Sequence, residues 1–237
     1  MTDQDAIVQA LTDSLHDDNH MVRSAAVRAL GRTHNPVVIP ALLQALHDKG
    51  GLVYDFALHA LGEMNDPTAI PTLMAMLGDA DSDLRRAAAT LLGKQKHAAA
   101  VPVLIKLLSD EVLAVGHAAA EALGEIGDAS AVPALVEVLA SPHTDWAMCI
   151  NAAQALGKLG DAQAAPTLIN VFRRRWDVIQ GMNTTPPVRK HVMEALVKLG
   201  GSAVPYLLTA LTDVDVKVRH GVVETLGHLA GGSEAVS

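Results

Sequence analysis

Four pairs of charged or histidine side chains recur at four-residue spacing and are the first candidates for chemistry in this chain. They are Asp55–His59, His117–Glu121, Lys190–Glu194 and His220–Glu224. Imidazole and carboxylate groups are ligands for iron. Residues four apart share one helix face, however, where such pairs also occur exposed and contribute only about 0.2–0.5 kcal/mol each. We interpret the series as a solvated helix face and predict no metal ligands in this chain.

The single cysteine, Cys149, is the only candidate thiol nucleophile. It lies in the segment WAMCINAA, and no base stands near it in sequence, so we predict a packing residue. One cysteine also excludes an intrachain disulfide framework and a cysteine-based zinc site. The chain contains no catalytic triad, phosphate loop or zincin motif. We therefore predict no catalytic residues and no cofactor.

Composition favours closely packed helices. Half of the residues are hydrophobic but only 3% are aromatic, so the apolar content is mainly Ala, Leu and Val. The 26 acidic and 18 basic residues give a net charge of −8, which argues against nucleic-acid binding. The longest apolar run, Ala98 to Ile105, is too short to span a membrane. The acidic start MTDQDA lacks the basic region of a secretory signal, so we expect a cytoplasmic protein.

A repeat of about 31 residues runs through the whole chain. A leucine–glycine step recurs, with glycine at Gly31, Gly62, Gly93, Gly124, Gly157 and Gly227, and Val197 occupies the equivalent position in one further copy. Eight or nine residues later comes a proline: Pro40, Pro71, Pro102, Pro133, Pro166 and Pro205. Such a period predicts an array of stacked units, each too small to bury its apolar face alone.

Each unit is predicted to form two helices. The first helix has Ala and Leu at three- and four-residue spacing, as in VGHAAAEALG, and we place its glycine at the C-cap. The second, as in VPALVEVL, carries its proline in the first turn, where the missing N–H costs little. These patterns predict an all-α, right-handed α-solenoid of about 14 helices.

The repeats divide the chain into a single predicted domain, residues 1–237. A half repeat covers 3–17, full repeats cover about 18–49, 50–81, 82–111, 112–143, 144–185 and 186–213, and a second half repeat covers 214–230. The last helix keeps its apolar residues without a second helix after it. We therefore predict either self-association through this C-terminal helix or a chain that is part of a longer protein.

The pattern of V-R, then A-A-x-A-L-G, then G-D-x-x-A-V-P-A-L resembles HEAT repeats, in particular the short variety of the phycobilisome lyases. GEIGDASAVPALVEVL, residues 124–139, is the nearest match, and the resemblance covers almost the whole chain. It implies the fold strongly and function weakly, because the family includes chromophore lyases, a hydroxylase and many scaffolds.

The resemblance suggests three activities. Deoxyhypusine hydroxylases of this kind bind iron through His-Glu dipeptides, and no such dipeptide occurs here. Bilin lyases hold a tetrapyrrole, for which six aromatic residues are few. DNA glycosylases of similar build need a basic groove. In the predicted inner face, the six positions that lie four residues after a repeat proline contain one Lys and one Glu in total. We predict a non-enzymatic protein–protein interaction scaffold; the alternatives are a lyase-like chromophore handler or a degenerate hydroxylase relative.

Two insertions interrupt the repeat, and each carries one of the two tryptophans. The shorter lies near residues 141–146 and the longer within residues 173–187. Insertions on one edge of a repeat array often mark its binding face. The predicted partner-binding residues are Arg173, Arg174, Arg175, Trp176, Arg189, Lys190 and Trp146. This basic edge would dock an acidic segment of another protein; alternatively, its arginines pair with the acidic repeats beside them.

Overall fold

The computed structural model describes residues 3–50, 52–174 and 187–231. Within these residues it contains fourteen α-helices and no β-strand. The helices belong to two compact units, Met1–Ala100 and Val101–Ser237. None of the described helices combines the length and apolar composition that a bilayer span requires.

The first unit contains six α-helices that alternate between the two predicted types. They are α1 (Asp3–Asp13), α2 (His20–Gly31), α3 (Ile39–Ala45), α4 (Val53–Met64), α5 (Ile70–Met76) and α6 (Ser82–Lys94). The first helices of the repeats are α2, α4 and α6, and the second helices are α1, α3 and α5. The first helix α4 packs against both α2 and α3, so each repeat covers the apolar side of the one before it.

The second unit contains eight α-helices with the same alternation. They are α7 (Val101–Leu107), α8 (Leu113–Ile126), α9 (Val132–Ala140), α10 (Trp146–Leu159), α11 (Ala165–Val171), α12 (Val188–Leu199), α13 (Val204–Ala210) and α14 (Val216–Ala230). The first helices α8, α10, α12 and α14 pack in that order, and the second helices α9, α11 and α13 form a parallel row. The all-α fold of stacked helix pairs and the expected number of helices are confirmed.

The turn between the two helices of a repeat is fixed by a side-chain cap. Asp66, Asp128 and Asp161 each accept a hydrogen bond from the backbone N–H two residues later, for example from Ser130 to Asp128 at 2.9 Å. A short 3₁₀ turn follows, and the repeat proline then falls in the first turn of the second helix. The cap satisfies a backbone donor that would otherwise lack a partner where the helical segment begins.

The leucine–glycine step has a different role from the predicted one. The glycine lies inside the first helix or at its last residue, and the left-handed C-cap comes three residues later, at Asn65, Gly127 and Gly160. The prediction that the glycine of the leucine–glycine step, called the ladder glycine below, caps the helix is therefore wrong. Its hydrogen side chain instead allows the next first helix to approach: a Cβ on Gly124 would lie 2.8 Å from the Cα of Ala155.

The core of each unit is built from the leucines and alanines that set the helical period. The leucine before the glycine is fully buried in α8 and α10, at Leu123 and Leu156, as is Leu196 before the equivalent Val197 in α12. Burying one such side chain stabilises the fold by about 1.5–3 kcal/mol. The small alanines between the leucines bring the helices close together, which explains how a core with few aromatic residues stays well packed.

Candidate functional site

The exposed face of the second helices is a continuous feature of each unit. The leucine two residues after each repeat proline is fully buried, as at Leu135, Leu168 and Leu207. The helical period therefore turns the proline itself, and the residue four positions after it, towards solvent. Those exposed residues are Gln44 and Ala75 in the first unit and Lys106, Glu137, Asn170 and Thr209 in the second. The face read from the sequence is thus accessible and carries little charge.

Two of the predicted basic-edge residues pair with carboxylates of the last two repeats. Arg173 forms an ion pair with Asp213. Arg189 lies across the ring of Phe172, with 5.1 Å from its Cζ to the ring centroid, and its Nη2 reaches Oε2 of Glu224 at 2.8 Å. Both cations are therefore neutralised by carboxylates later in the chain: Asp213 lies just before α14, and Glu224 lies within it. This arrangement corresponds to the alternative interpretation of the arginine cluster, in which the arginines pair with neighbouring acidic residues.

Arg174 points to the preceding repeat instead. Its Nη2 donates to the carbonyl oxygens of Leu139 at 2.6 Å and Ser141 at 2.7 Å, and its Nη1 lies 3.4 Å from Sγ of Cys149. Burial of the thiol raises the pKa of Cys149 to about 11, and the nearby guanidinium of Arg174 opposes that shift only partly. The buried thiol has the surroundings of a packing residue.

The remaining predicted residues do not join these arginines in one site. Lys190 is exposed and lies 3.8 Å from Glu194 in the same helix. Trp146 is half-buried at the start of α10, next to the capping residue Asp145. Arg175 and Trp176 lie outside the described residues. The structure thus pairs Arg173 with Asp213 and Arg189 with Glu224, turns Arg174 to the preceding repeat, and leaves Lys190 facing solvent.

The shorter insertion shapes a groove in the second unit. The groove has a volume of about 480 Å³, with apolar residues such as Ile105 and Met148 and the carboxylates of Glu137 and Asp145 in its lining. Burial opposes ionisation of Asp145, but hydrogen bonds from the Met148 amide and the His117 ring outweigh it and hold the pKa of Asp145 below its usual value. Trp146 does not line this groove.

The histidine series forms surface pairs rather than a metal centre. His117 lies 3.3 Å from Asp145, and His220 lies 3.5 Å from Glu224, which also binds Arg189. Among the residues that the structure describes, no three His, Cys, Asp or Glu side chains are grouped so that they could hold a metal ion. Of the four predicted pairs, Lys190–Glu194 and His220–Glu224 form within one helix, whereas His117 pairs with Asp145 of the next repeat.

A second groove, in the first unit, was not anticipated from the sequence. It has a volume of about 340 Å³ and lies between α2 and α4; its lining residues are Arg28, Gly31, Arg32, His34, Phe56, His59, Ala60 and Glu63. The guanidinium of Arg28 lies over the Phe56 ring, 5.2 Å from its centroid. The feature of the sequence that could have indicated this groove is the pair Arg28 and Arg32, which are four residues apart and therefore share a helix face.

Comparison with known proteins identifies the family. The family model described as HEAT repeats matches residues 5–90, 51–113, 70–147 and 115–182, so the chain belongs to the HEAT-repeat family. No curated protein is similar enough in sequence to match the chain.

Solved structures are similar to this chain in fold. The complex of CpcE and CpcF of phycocyanin lyase from Nostoc sp. PCC7120 is 22% identical with a TM-score of 0.56, over 94% of this chain and 94% of that one. The YibA protein of Escherichia coli is 22% identical with a TM-score of 0.58, over 97% and 82%. Importin beta is 17% identical with a TM-score of 0.63, over 94% of this chain and 36% of that one. At these identities the likeness shows the fold alone.

Proposed function

We propose that the chain is a non-enzymatic interaction module that binds a segment of another protein along the exposed face of its second helices. The observation that carries the proposal is the regular, accessible row formed by the repeat prolines and the residues four positions after them. Because these side chains are small or uncharged in most repeats, the row offers shape and hydrogen bonds to an extended or helical peptide.

The chemistry of the described side chains supports the non-enzymatic proposal. The one thiol, Cys149, is buried and has a raised pKa of about 11, so it is a poor nucleophile near neutral pH. The histidines nearest to carboxylates are engaged in surface pairs with them. A protein that carries stoichiometric iron or a bound pigment after purification would contradict this part of the proposal.

The proposal includes two finer contacts, an acidic segment on the basic edge and self-association through α14. Docking of an acidic segment on the basic edge requires Arg173 and Arg189 to exchange Asp213 and Glu224 for carboxylates of the partner. Lys190 is better placed for such a contact because its side chain is 57% exposed. Self-association through α14 is supported by Val216 and Val223, which are 64% and 58% exposed.

Site-specific photocrosslinking in cells tests the proposed face. A benzophenone amino acid is placed at Gln44 or Asn170, both exposed on second helices, and as a matched control at Glu121 or Lys198, both exposed on first helices. We expect a discrete crosslinked partner from the second-helix positions and at least fivefold less of the same product from the controls. Equal products from both sets, or products from the first-helix positions alone, would place the binding surface elsewhere and refute the proposal.

A further inference from the structure

We propose that the groove between α2 and α4 is a second binding site, which takes two carboxylates of an acidic segment of a partner protein through Arg28 and Arg32. This site goes beyond the proposed function because it lies between first helices and not along the exposed row of second helices. It also differs in place from the basic edge near residues 173–190.

The groove exists because the two helices touch through small residues. A Cβ on Gly31 would lie 2.7 Å from the Cβ of Ala60, so no side chain fills the space above this contact. Longer side chains from the neighbouring turns rise on both sides, with Arg28 and Arg32 on α2 or at its end and Phe56 on α4. The result is a groove of about 340 Å³ with small residues at its base and long ones along its sides.

No residue that the structure describes neutralises the two arginines of this groove. Acidic residues outnumber basic ones by 26 to 18 in the whole chain, so an arginine without an acidic partner is unexpected. Yet neither Arg28 nor Arg32 forms an ion pair with any described residue, although Glu63 lines the same groove. Arg28 is instead held over the face of Phe56, which orients its guanidinium without occupying all of its donors.

The equivalent junction in the second unit, between α8 and α10, differs in its charged residues. There, Gly124 touches Ala155 in the same way, and the residues one position after the ladder glycines are Glu125 and Lys158. These two are joined by an ion pair of 2.5 Å, whereas the corresponding Arg32 and Glu63 are not joined. The residue equivalent to Arg28 is Glu121. An open, positively charged groove is therefore a property of the α2–α4 junction and not a general consequence of the repeat.

The spacing of the arginines fits an extended acidic peptide. Arg28 and Arg32 are one helical turn apart, which corresponds to an axial rise of about 6 Å. In an extended chain, residues i and i+2 lie on one side and are about 6.6 Å apart. Two glutamates separated by one residue can thus face the two guanidiniums, and each guanidinium can bind a carboxylate through two parallel N–H donors.

Titration of the full chain with a defined peptide tests this site. The probe is acetyl-Gly-Glu-Thr-Glu-Gly-amide, its neutral counterpart has glutamine in place of both glutamates, and binding is followed by NMR shifts of the Phe56 ring and the Gly31 amide. We expect saturable binding of the acidic peptide, at least tenfold weaker binding of the glutamine peptide, and a loss of affinity with added salt. Arg28→Gln with Arg32→Gln should weaken binding at least tenfold, and Glu63→Gln should strengthen it about twofold or more.

The matched control is Lys96→Gln with Lys198→Gln, which removes the same charge from exposed positions outside the groove and outside the row of second helices. It should change the affinity less than twofold. Equal binding of both peptides, or an equal loss in the control variant, would refute the site, as would displacement by inorganic phosphate at concentrations below those of the peptide. The proposed function is tested separately by partner crosslinking from Gln44 or Asn170. If that crosslinking survives the arginine substitutions, it supports the interaction module, whereas the peptide titration alone decides whether the groove binds an acidic segment.

Discussion

The guanidinium of Arg174 lies 3.4 Å from the sulfur of Cys149, which stands where other repeats carry an arginine. Eight residues before the ladder glycine, α2 and α14 carry Arg23 and Arg219, which donate to backbone carbonyls of the preceding turn. In α10 that position is Cys149. Arg174, which stands where other repeats carry an aspartate such as Asp48, binds the carbonyls of Leu139 and Ser141 instead.

Substitution of Arg174 should therefore lower stability. Arg174→Ala leaves two carbonyl groups without their donor, and an unsatisfied buried polar group costs about 1–3 kcal/mol. We expect the free energy of unfolding, measured by urea denaturation, to fall by about that amount. Arg173→Ala is the control, since it removes an exposed ion pair with Asp213 and should cost less than about 1 kcal/mol.

A second substitution separates this role from a general loss of packing. Adding Cys149→Arg to Arg174→Ala restores an arginine at the usual position of the repeat, from which it can reach the same turn. Recovery of at least half of the lost stability is expected. If Arg174→Ala leaves stability unchanged and weakens partner binding, Arg174 acts as a binding residue and the structural role is excluded.

The sequence predicts the repeat architecture well because its determinants are local. The alternation of two helices and the exposed positions of the second helices follow from residues a few positions apart, and the period of about 31 residues repeats the same local pattern. The charge pairs do not. Arg173 meets Asp213 and Arg189 meets Glu224 across 40 and 35 residues, so a count of charges within residues 173–190 overstates the positive patch. For the same reason the sequence does not reveal that Arg28 and Arg32 have no ion-pair partner among the residues that the structure describes.

Phe172 and Gly221 form a second compensating pair. Phe172 occupies the position where other second helices carry leucine, such as Leu139, and a Cβ on Gly221 would lie 2.6 Å from its ring. Gly221→Ala should lower the free energy of unfolding by about 1–3 kcal/mol through overpacking. Adding Phe172→Leu to Gly221→Ala should restore most of the lost free energy of unfolding, as measured by thermal and urea unfolding. Additive losses in the double variant would mean that the two residues do not compensate each other.

The ladder glycines should respond differently according to what faces them. Gly124→Ala places a methyl group 2.8 Å from the backbone of Ala155 and should destabilise the protein by about 1–3 kcal/mol. Gly227 has the same place in α14 but faces open space, so Gly227→Ala should stabilise it by about 0.5–1 kcal/mol through helix propensity. Opposite signs in urea denaturation are the expected result; two changes of the same sign would show that helix propensity, and not close approach, decides these positions.

The thiol of Cys149 should make stability depend on pH in the alkaline range. Burial raises its pKa from 9.0 to about 11, so the native state keeps the proton that the unfolded state loses. The stability from this group is fully present below pH 9 and is lost as the pH rises towards 11. The free energy of unfolding, measured by urea denaturation, should therefore fall more steeply with pH across this range in the unmodified chain than in Cys149→Ala. In addition, the native thiol should react with a disulfide reagent at pH 8 at least 100-fold more slowly than the unfolded one; equal rates would contradict its burial.

The exposed side of α14 is expected to mediate self-association. Val223 is 58% exposed, whereas the equivalent Val27 and Ala153 of earlier first helices are fully buried by the next repeat. Because Val216 is also 64% exposed on this helix, no described residue covers the apolar surface of the two valines. Sedimentation velocity should show a concentration-dependent dimer, weakened at least tenfold by Val216→Lys with Val223→Lys. Val214→Lys is the control, since Val214 is 92% exposed in the preceding turn and should leave the equilibrium almost unchanged. A monomer at every concentration, or equal effects of all these substitutions, would show that α14 is not the contact surface.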